Sequence, residues 1–137
     1  MYIHKTSVRV RYGETDQMGY VYYGNYAYYY EVGRVEMLRS LGLSYAKFES
    51  DYFIYMPVMS METRYIRPAL YDDLLTLETR LAKLPDDTIR FRTDIYNENG
   101  ALLNSGTVKL FFQDSRSHER IKVPQEIVDK LKQYFET

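Results

Sequence analysis

Downstream of residue 55 the chain offers four successive strand-like runs with no helical stripe between them, which limits the fold more than any other feature. Tyr55 to Ile66 comes first and is broken by Arg67-Pro68-Ala69. Leu75, Leu77, Thr79 and Leu81 then alternate with charged or polar neighbours, and Ile89, Phe91, Thr93 and Ile95 alternate with Arg90, Arg92 and Asp94. Leu102 to Phe112 returns with Val108, Leu110 and Phe112 on one face. A period of two marks a strand with one buried face. Asn97-Glu98-Asn99-Gly100 reads as a hairpin turn in which Gly is free to take positive φ. Strands that follow one another without crossover helices pair antiparallel.

The first third of the chain supplies what covers that sheet. Lys5, Arg9 and Arg11 alternate with the uncharged Thr6, Val8, Val10 and Tyr12, so Tyr2 to Tyr12 is a further half-buried strand. Gly13 to Gly24 reads as a loop. From Asn25 to Leu41, the residues Tyr26, Tyr30, Gly33, Met37 and Leu41 recur every three or four positions and form one helical stripe. Glu31, Arg34, Glu36 and Arg39 lie off it. A helix-interior Gly such as Gly33 costs about 1 kcal/mol relative to Ala, and close packing of the helix backbone on a sheet is the reason to tolerate it. Gly42 ends the helix, and Ser44 to Ser50 adds one more turn. Pro124 suits the first turn of a C-terminal helix whose Ile127, Leu131 and Phe135 share a face. One long helix on an antiparallel sheet is an α+β architecture, here a single domain over residues 1–137.

Composition narrows the chemistry. The chain has no Cys, which removes a thiol nucleophile, a disulfide framework and a thiolate metal site. Its two histidines, His4 and His118, lie toward the two ends, and no G-x-S-x-G elbow is present. No metal site is expected, and any hydrolysis falls to a carboxylate. The net charge of −1 gives no general electrostatic reason to expect nucleic acid. No apolar run nears the roughly 20 residues that span a bilayer, and MYIHKTSVRV lacks the apolar core of a signal peptide. A cytoplasmic setting without membrane insertion is therefore expected. Tyrosine is abundant, with 16 in 137 residues and six between Tyr22 and Tyr30. These side chains fit either a core with hydroxyls at its margin or the lining of a ligand pocket.

Between Val8 and Leu41 the order is strand, polar turn holding Asp16, then helix. That order brings a carboxylate within reach of the free N–H groups of a helix start, a setting suited to acyl transfer. The run Tyr12-Gly13-Glu14-Thr15-Asp16-Gln17-Met18-Gly19-Tyr20-Val21-Tyr22-Tyr23-Gly24-Asn25-Tyr26 resembles the signature of the hotdog-fold acyl-CoA thioesterases, of 4-hydroxybenzoyl-CoA thioesterase and YbgC-like type. That signature is an aromatic, D-x-D, a Gly, V-[YW] and x-N-Y; Glu14 stands at its first Asp and Asp16 at its second. Arg64 to Leu74 is similar to the family's Y-x-x-P-A-x-x-D-D turn, and Asn99 to Gly106 to its final hairpin.

The resemblance implies a hotdog fold, an antiparallel sheet wrapped around one long central helix, and hydrolysis of acyl-CoA to acid and coenzyme A. It implies Asp16 as the catalytic carboxylate, acting as nucleophile or general base, and the Tyr23 backbone N–H as donor to the thioester oxygen. YbgC-like relatives carry His where this chain has Tyr23, so no imidazole assists here. Substrate-binding candidates are Tyr22, Gly24, Asn25 and Tyr26 at the helix start. Arg64 and Arg67 either meet the phosphates of coenzyme A or are solvated strand-end charges. Asn25 caps the helix or positions the loop before it, and Gly24 serves backbone conformation. Coenzyme A enters only as part of the substrate, and no cofactor is expected. An acyl-carrier-protein thioesterase and a non-catalytic acyl-thioester binding module are the alternatives. A homodimer or homotetramer is expected, because relatives pair hotdogs edge to edge.

Overall fold

The computed structural model describes residues 1–136. In chain order its elements are β1 (Tyr2–Arg9), α1 (Tyr26–Ser40), α2 (Tyr45–Asp51), β2 (Ile54–Tyr55), β3 (Val58–Tyr65), β4 (Leu74–Leu81), β5 (Thr88–Tyr96), β6 (Leu102–Asp114), β7 (Arg120–Ile121) and α3 (Gln125–Leu131). Strands β1, β4, β5 and β6 lie side by side in that order, every pair antiparallel. Strands β2 and β3 share the remaining edge of β6, and β7 adds a short pairing near its end.

The alternating runs bury the faces their periodicity assigns. Strand β4 buries Leu75, Leu77, Thr79 and Leu81, and β5 buries Ile89, Phe91, Thr93 and Ile95. The hairpin between β5 and β6 is held by Asn97, whose Oδ1 accepts from the N–H groups of Asn99 and Ala101 at 3.0 Å each. Gly100 takes φ +80° there. One expected strand is divided. Pro57 has no N–H for the ladder, and the register shifts between Val58 and Ser60, so Tyr55 to Ile66 becomes β2 and β3. Along β3 every residue except Thr63 is exposed, and only β6 pairs with it among the described residues.

Helix α1 packs on β1, β4 and β5. Its backbone comes so close that a Cβ on Gly33 would collide with Thr79 Oγ1, and Thr79 and Thr93 hydroxyls share a hydrogen bond at 3.2 Å beneath it. Gly106 on β6 answers from the sheet side: a Cβ there would strike the Tyr30 ring, whose hydroxyl donates to Asn104 Oδ1. Two glycines thus set the depth at which the helix seats.

Arg34 departs from the expected pattern. It lies off the helical stripe, yet it is 9% exposed and its Nε donates to the Tyr45 hydroxyl at 3.3 Å. Gly42, at φ +80°, turns the chain out of α1 toward α2, which Ser44 caps and which buries Phe48. Ile127 and Leu131 of α3 join the same core, with Phe135 packed against it. No helix is long and apolar enough to cross a membrane among the described residues.

Candidate active site

Strand β1 ends at Arg9, and the chain then makes a 3₁₀ turn over Tyr12–Glu14 before a tight loop around Asp16. Backbone bonds fix that loop: Asp16 N–H donates to Tyr20 O at 2.8 Å and Gly19 N–H to Asp16 O at 3.0 Å. Gly19 sits at φ +79°, a conformation that an L side chain strains to adopt. The Asp16 carboxylate is pinned by one oxygen only. Oδ1 accepts from Met18 N–H at 2.9 Å and from Tyr20 N–H at 3.2 Å, while Oδ2 has no protein partner among the described residues. A carboxylate so held keeps one oriented oxygen available for chemistry.

The bridges Thr15 to Val21 and Tyr20 to Leu70 carry the chain back toward α1. A second 3₁₀ turn, Tyr23–Asn25, leads directly into α1. Among the described residues no acceptor takes the N–H of Tyr23 or Gly24. These are the orphan donors of a helix entrance, at the positive end of its dipole. They favour negative charge placed before them.

Asp16 and Tyr23 line one cavity of about 330 Å³. Asp16, Met18, Tyr20 and Val21 line it from the loop, and Tyr23 and Tyr26 from the helix start. Tyr65, Ile66, Arg67 and Pro68 line it from the end of β3. Asp16 and Arg67 are its two charged members. The rest is aromatic or apolar, in keeping with small-ligand pockets, whose walls are apolar with few placed polar groups. The Tyr65 hydroxyl donates to Tyr23 O at 3.2 Å, tying the sheet edge to the helix-start turn. Tyr26 is 3% exposed, and burial raises its hydroxyl above the ordinary tyrosine range.

The site residues expected from sequence are thereby sorted. Asp16, Tyr23, Tyr26 and Arg67 line the cavity; Tyr22, Gly24, Asn25 and Arg64 do not. Tyr22 lies outside the cavity, its ring tilted against that of Tyr23 at 4.6 Å, and Gly24 leaves room for it, since a Cβ would lie 2.9 Å from the Tyr22 ring. Asn25 makes no side-chain cap to α1. Its Nδ2 donates instead to Glu14 O at 2.8 Å, which is the loop-positioning role. Arg64 pairs in register with Ser105 and so sits on the opposite sheet face from Tyr65. Arg67 reaches the cavity because the Ile66 and Arg67 N–H groups both donate to Leu103 O at 2.9 Å, which breaks the alternation.

Sequence reasoning missed Met18, Tyr20, Val21, Tyr65, Ile66 and Pro68 as lining residues. For Tyr65 a signal existed, since it alternates with Arg64 inside the same motif. No three His, Asp or Glu side chains gather as a metal site among the described residues.

The family model of the thioesterase-like superfamily matches residues 10–131 of this chain. The chain belongs to this superfamily. It is 32% identical over 126 residues to the acyl-CoA thioester hydrolase YbgC of Shigella flexneri, covering 92% of this chain and 93% of that protein. Among solved structures it resembles a DHNA-CoA thioesterase from Staphylococcus aureus, with TM-score 0.88 and 28% identity over 100% of this chain and 97% of that one. It also resembles a hypothetical protein from Thermus thermophilus, with TM-score 0.87 and 33% identity over 96% of each. The hotdog fold is met among the described residues, and the expectation of a thioester hydrolase is met at the level of the family.

Proposed function

We propose that this chain hydrolyses acyl-CoA thioesters to free acid and coenzyme A. Asp16 is the reacting carboxylate and the Tyr23 backbone N–H is the donor to the thioester oxygen. The observation that carries the reading is one cavity lined both by a carboxylate with a free oxygen and by Tyr23, whose N–H is unpaired at the helix entrance. As the carbonyl carbon is attacked, negative charge develops on its oxygen, and a pre-placed donor there is typically worth about 10² to 10³ in rate. Asp16 either attacks the carbon itself or takes the proton of an attacking water. The C–S bond then breaks, and the thiolate leaves as the thiol after gaining a proton. Where Asp16 itself attacked, water hydrolyses the Asp16 anhydride to release the acid and restore the carboxylate. The tyrosines contact the acyl group and pantetheine arm, and Arg67 meets phosphate at the mouth.

The test is release of free thiol from a panel of acyl-CoAs and from the same acyl groups on acyl carrier protein. Wild-type turnover by Asp16→Ala on the best substrate would sink the assignment. A carrier-protein preference would select the alternative thioesterase, and binding of thioesters without any turnover would select the non-catalytic module.

The working unit is a homodimer or homotetramer. In support, the exposed edge β3 ends at Tyr65 and Ile66, and these same residues line the cavity. An unpaired strand edge invites a second copy, and a two-fold contact on β3 would close both cavities at once. Light scattering on the eluting protein should give at least twice the chain mass of 16.4 kDa. A monodisperse monomer with full activity contradicts this.

A further inference from the structure

We propose that Glu14 is a positioning residue, which holds the Asp16 carboxylate and the Tyr23 N–H at a fixed mutual distance. This rests on the assignment of those two groups as the reacting pair. Glu14 stands two residues before Asp16, outside the cavity, and gathers five hydrogen bonds. Its N–H donates to Arg11 O at 3.0 Å. Its Oε1 accepts from Arg11 N–H at 2.8 Å and from the Tyr29 hydroxyl at 2.9 Å. Its carbonyl accepts from Tyr22 N–H at 2.9 Å and from Asn25 Nδ2 at 2.8 Å.

The partners tell what the cluster does. Tyr22 immediately precedes Tyr23, Asn25 is the last residue before α1, and Tyr29 lies in the first turns of α1. One residue therefore grips the carboxylate loop, the helix-start turn and the helix together. Asn25 forgoes a cap on its own helix to reach across to Glu14. Tyr29 is 3% exposed, so its hydroxyl has little access to water as a rival acceptor. Burial and the neighbouring carboxylate both hold its proton on, well above the ordinary tyrosine range, so it stays a donor at any working pH.

A stability role alone would not require these particular partners. The reacting groups belong to two segments that meet at the Thr15 to Val21 bridge, and Glu14 and Tyr22 flank that bridge from outside. Loss of the grip lets the segments drift, and a displacement near 1 Å costs roughly 10²-fold in rate.

The experiment compares kcat, KM and melting temperature for Glu14→Ala, Glu14→Gln, Tyr29→Phe and Asp16→Asn. Glu14→Ala should lower kcat by roughly 10²-fold with KM little changed. Glu14→Gln should recover most of that loss, since an amide oxygen still accepts from Tyr29 and Arg11. Tyr29→Phe keeps the ring in the core, so it reports the kcat effect even where Glu14→Ala does not fold. Its loss should not add to that of Glu14→Ala, because both remove the same bond. Wild-type kcat in Glu14→Ala and Tyr29→Phe, beside an inactive Asp16→Asn, overturns the positioning role alone. So does a loss seen only in KM and melting temperature, or a Glu14→Gln enzyme as slow as Glu14→Ala. Full turnover by Asp16→Asn instead overturns the reacting pair on which the proposal rests.

Discussion

Tyr30 and Tyr23 stand two turns apart on the same stretch of chain and serve opposite ends. Tyr30 is 1% exposed in the seam between α1 and the sheet, lodged in the space Gly106 leaves. Tyr23 is 64% exposed in the turn before α1, beside the cavity. The seam is determined by shape, with Gly33 against Thr79 and Gly106 against Tyr30. The turn is determined by hydrogen bonds to Glu14 and Asp16 and stays open to water. Close packing makes the first region sensitive to single methyl groups. The second keeps donors and acceptors unsatisfied, as chemistry on a ligand demands. Stability and catalysis should therefore separate by mutation.

The largest expected effect is in the turn. Asp16→Asn keeps an Oδ1 for the Met18 and Tyr20 N–H groups, so the loop survives. Its kcat should fall by about 10² or more, while unfolding free energy moves by under about 0.5 kcal/mol. A variant that unfolds as readily as it loses activity would erase the contrast between the regions.

Gly106→Ala should show the reverse. The added methyl must displace the Tyr30 ring, and overpacking of this kind costs about 1 to 3 kcal/mol. The urea midpoint should drop, while kcat per folded molecule stays near wild type. Turnover that falls along with the midpoint would show that the seam also sets the site.

The smallest effect appears at high pH. Burial pushes the Tyr30 hydroxyl up to about 12 from the ordinary 10.0. Between those values the native protein holds a proton that the unfolded chain has released, so stability falls as pH rises through the window. The slope for one such group is at most about 1.4 kcal/mol per pH unit. Tyr30→Phe should flatten urea midpoints measured across it, and an unchanged slope would assign the alkaline loss to other groups.

Much of this molecule was legible in its residues. Alternation in β1, β4, β5 and β6 is local information, because a pleated strand exposes every second side chain to one environment. The 3.6-residue stripe of α1, the Gly100 hairpin and the Gly42 stop are local in the same sense. Gly33 even announced close packing, because a helix keeps a costly Gly where something leaves no room for a methyl. Asp16 and Tyr23 were named by motif, and the structure places both on one cavity.

What lies between elements was decided only by tertiary structure. Arg34 is buried and meets the Tyr45 hydroxyl at the start of α2, and no pattern within α1 records that partner. Arg64 and Arg67 look alike in sequence, yet the pleat sends one to the outer face and the paired N–H bonds at Leu103 O bring the other to the cavity. Asn25 could read as a helix cap until Glu14 was seen within its reach. The physical reason is common to all three: periodicity reports which side of an element is covered, while the partner comes from a segment distant in the chain and is settled only when the chain closes on itself.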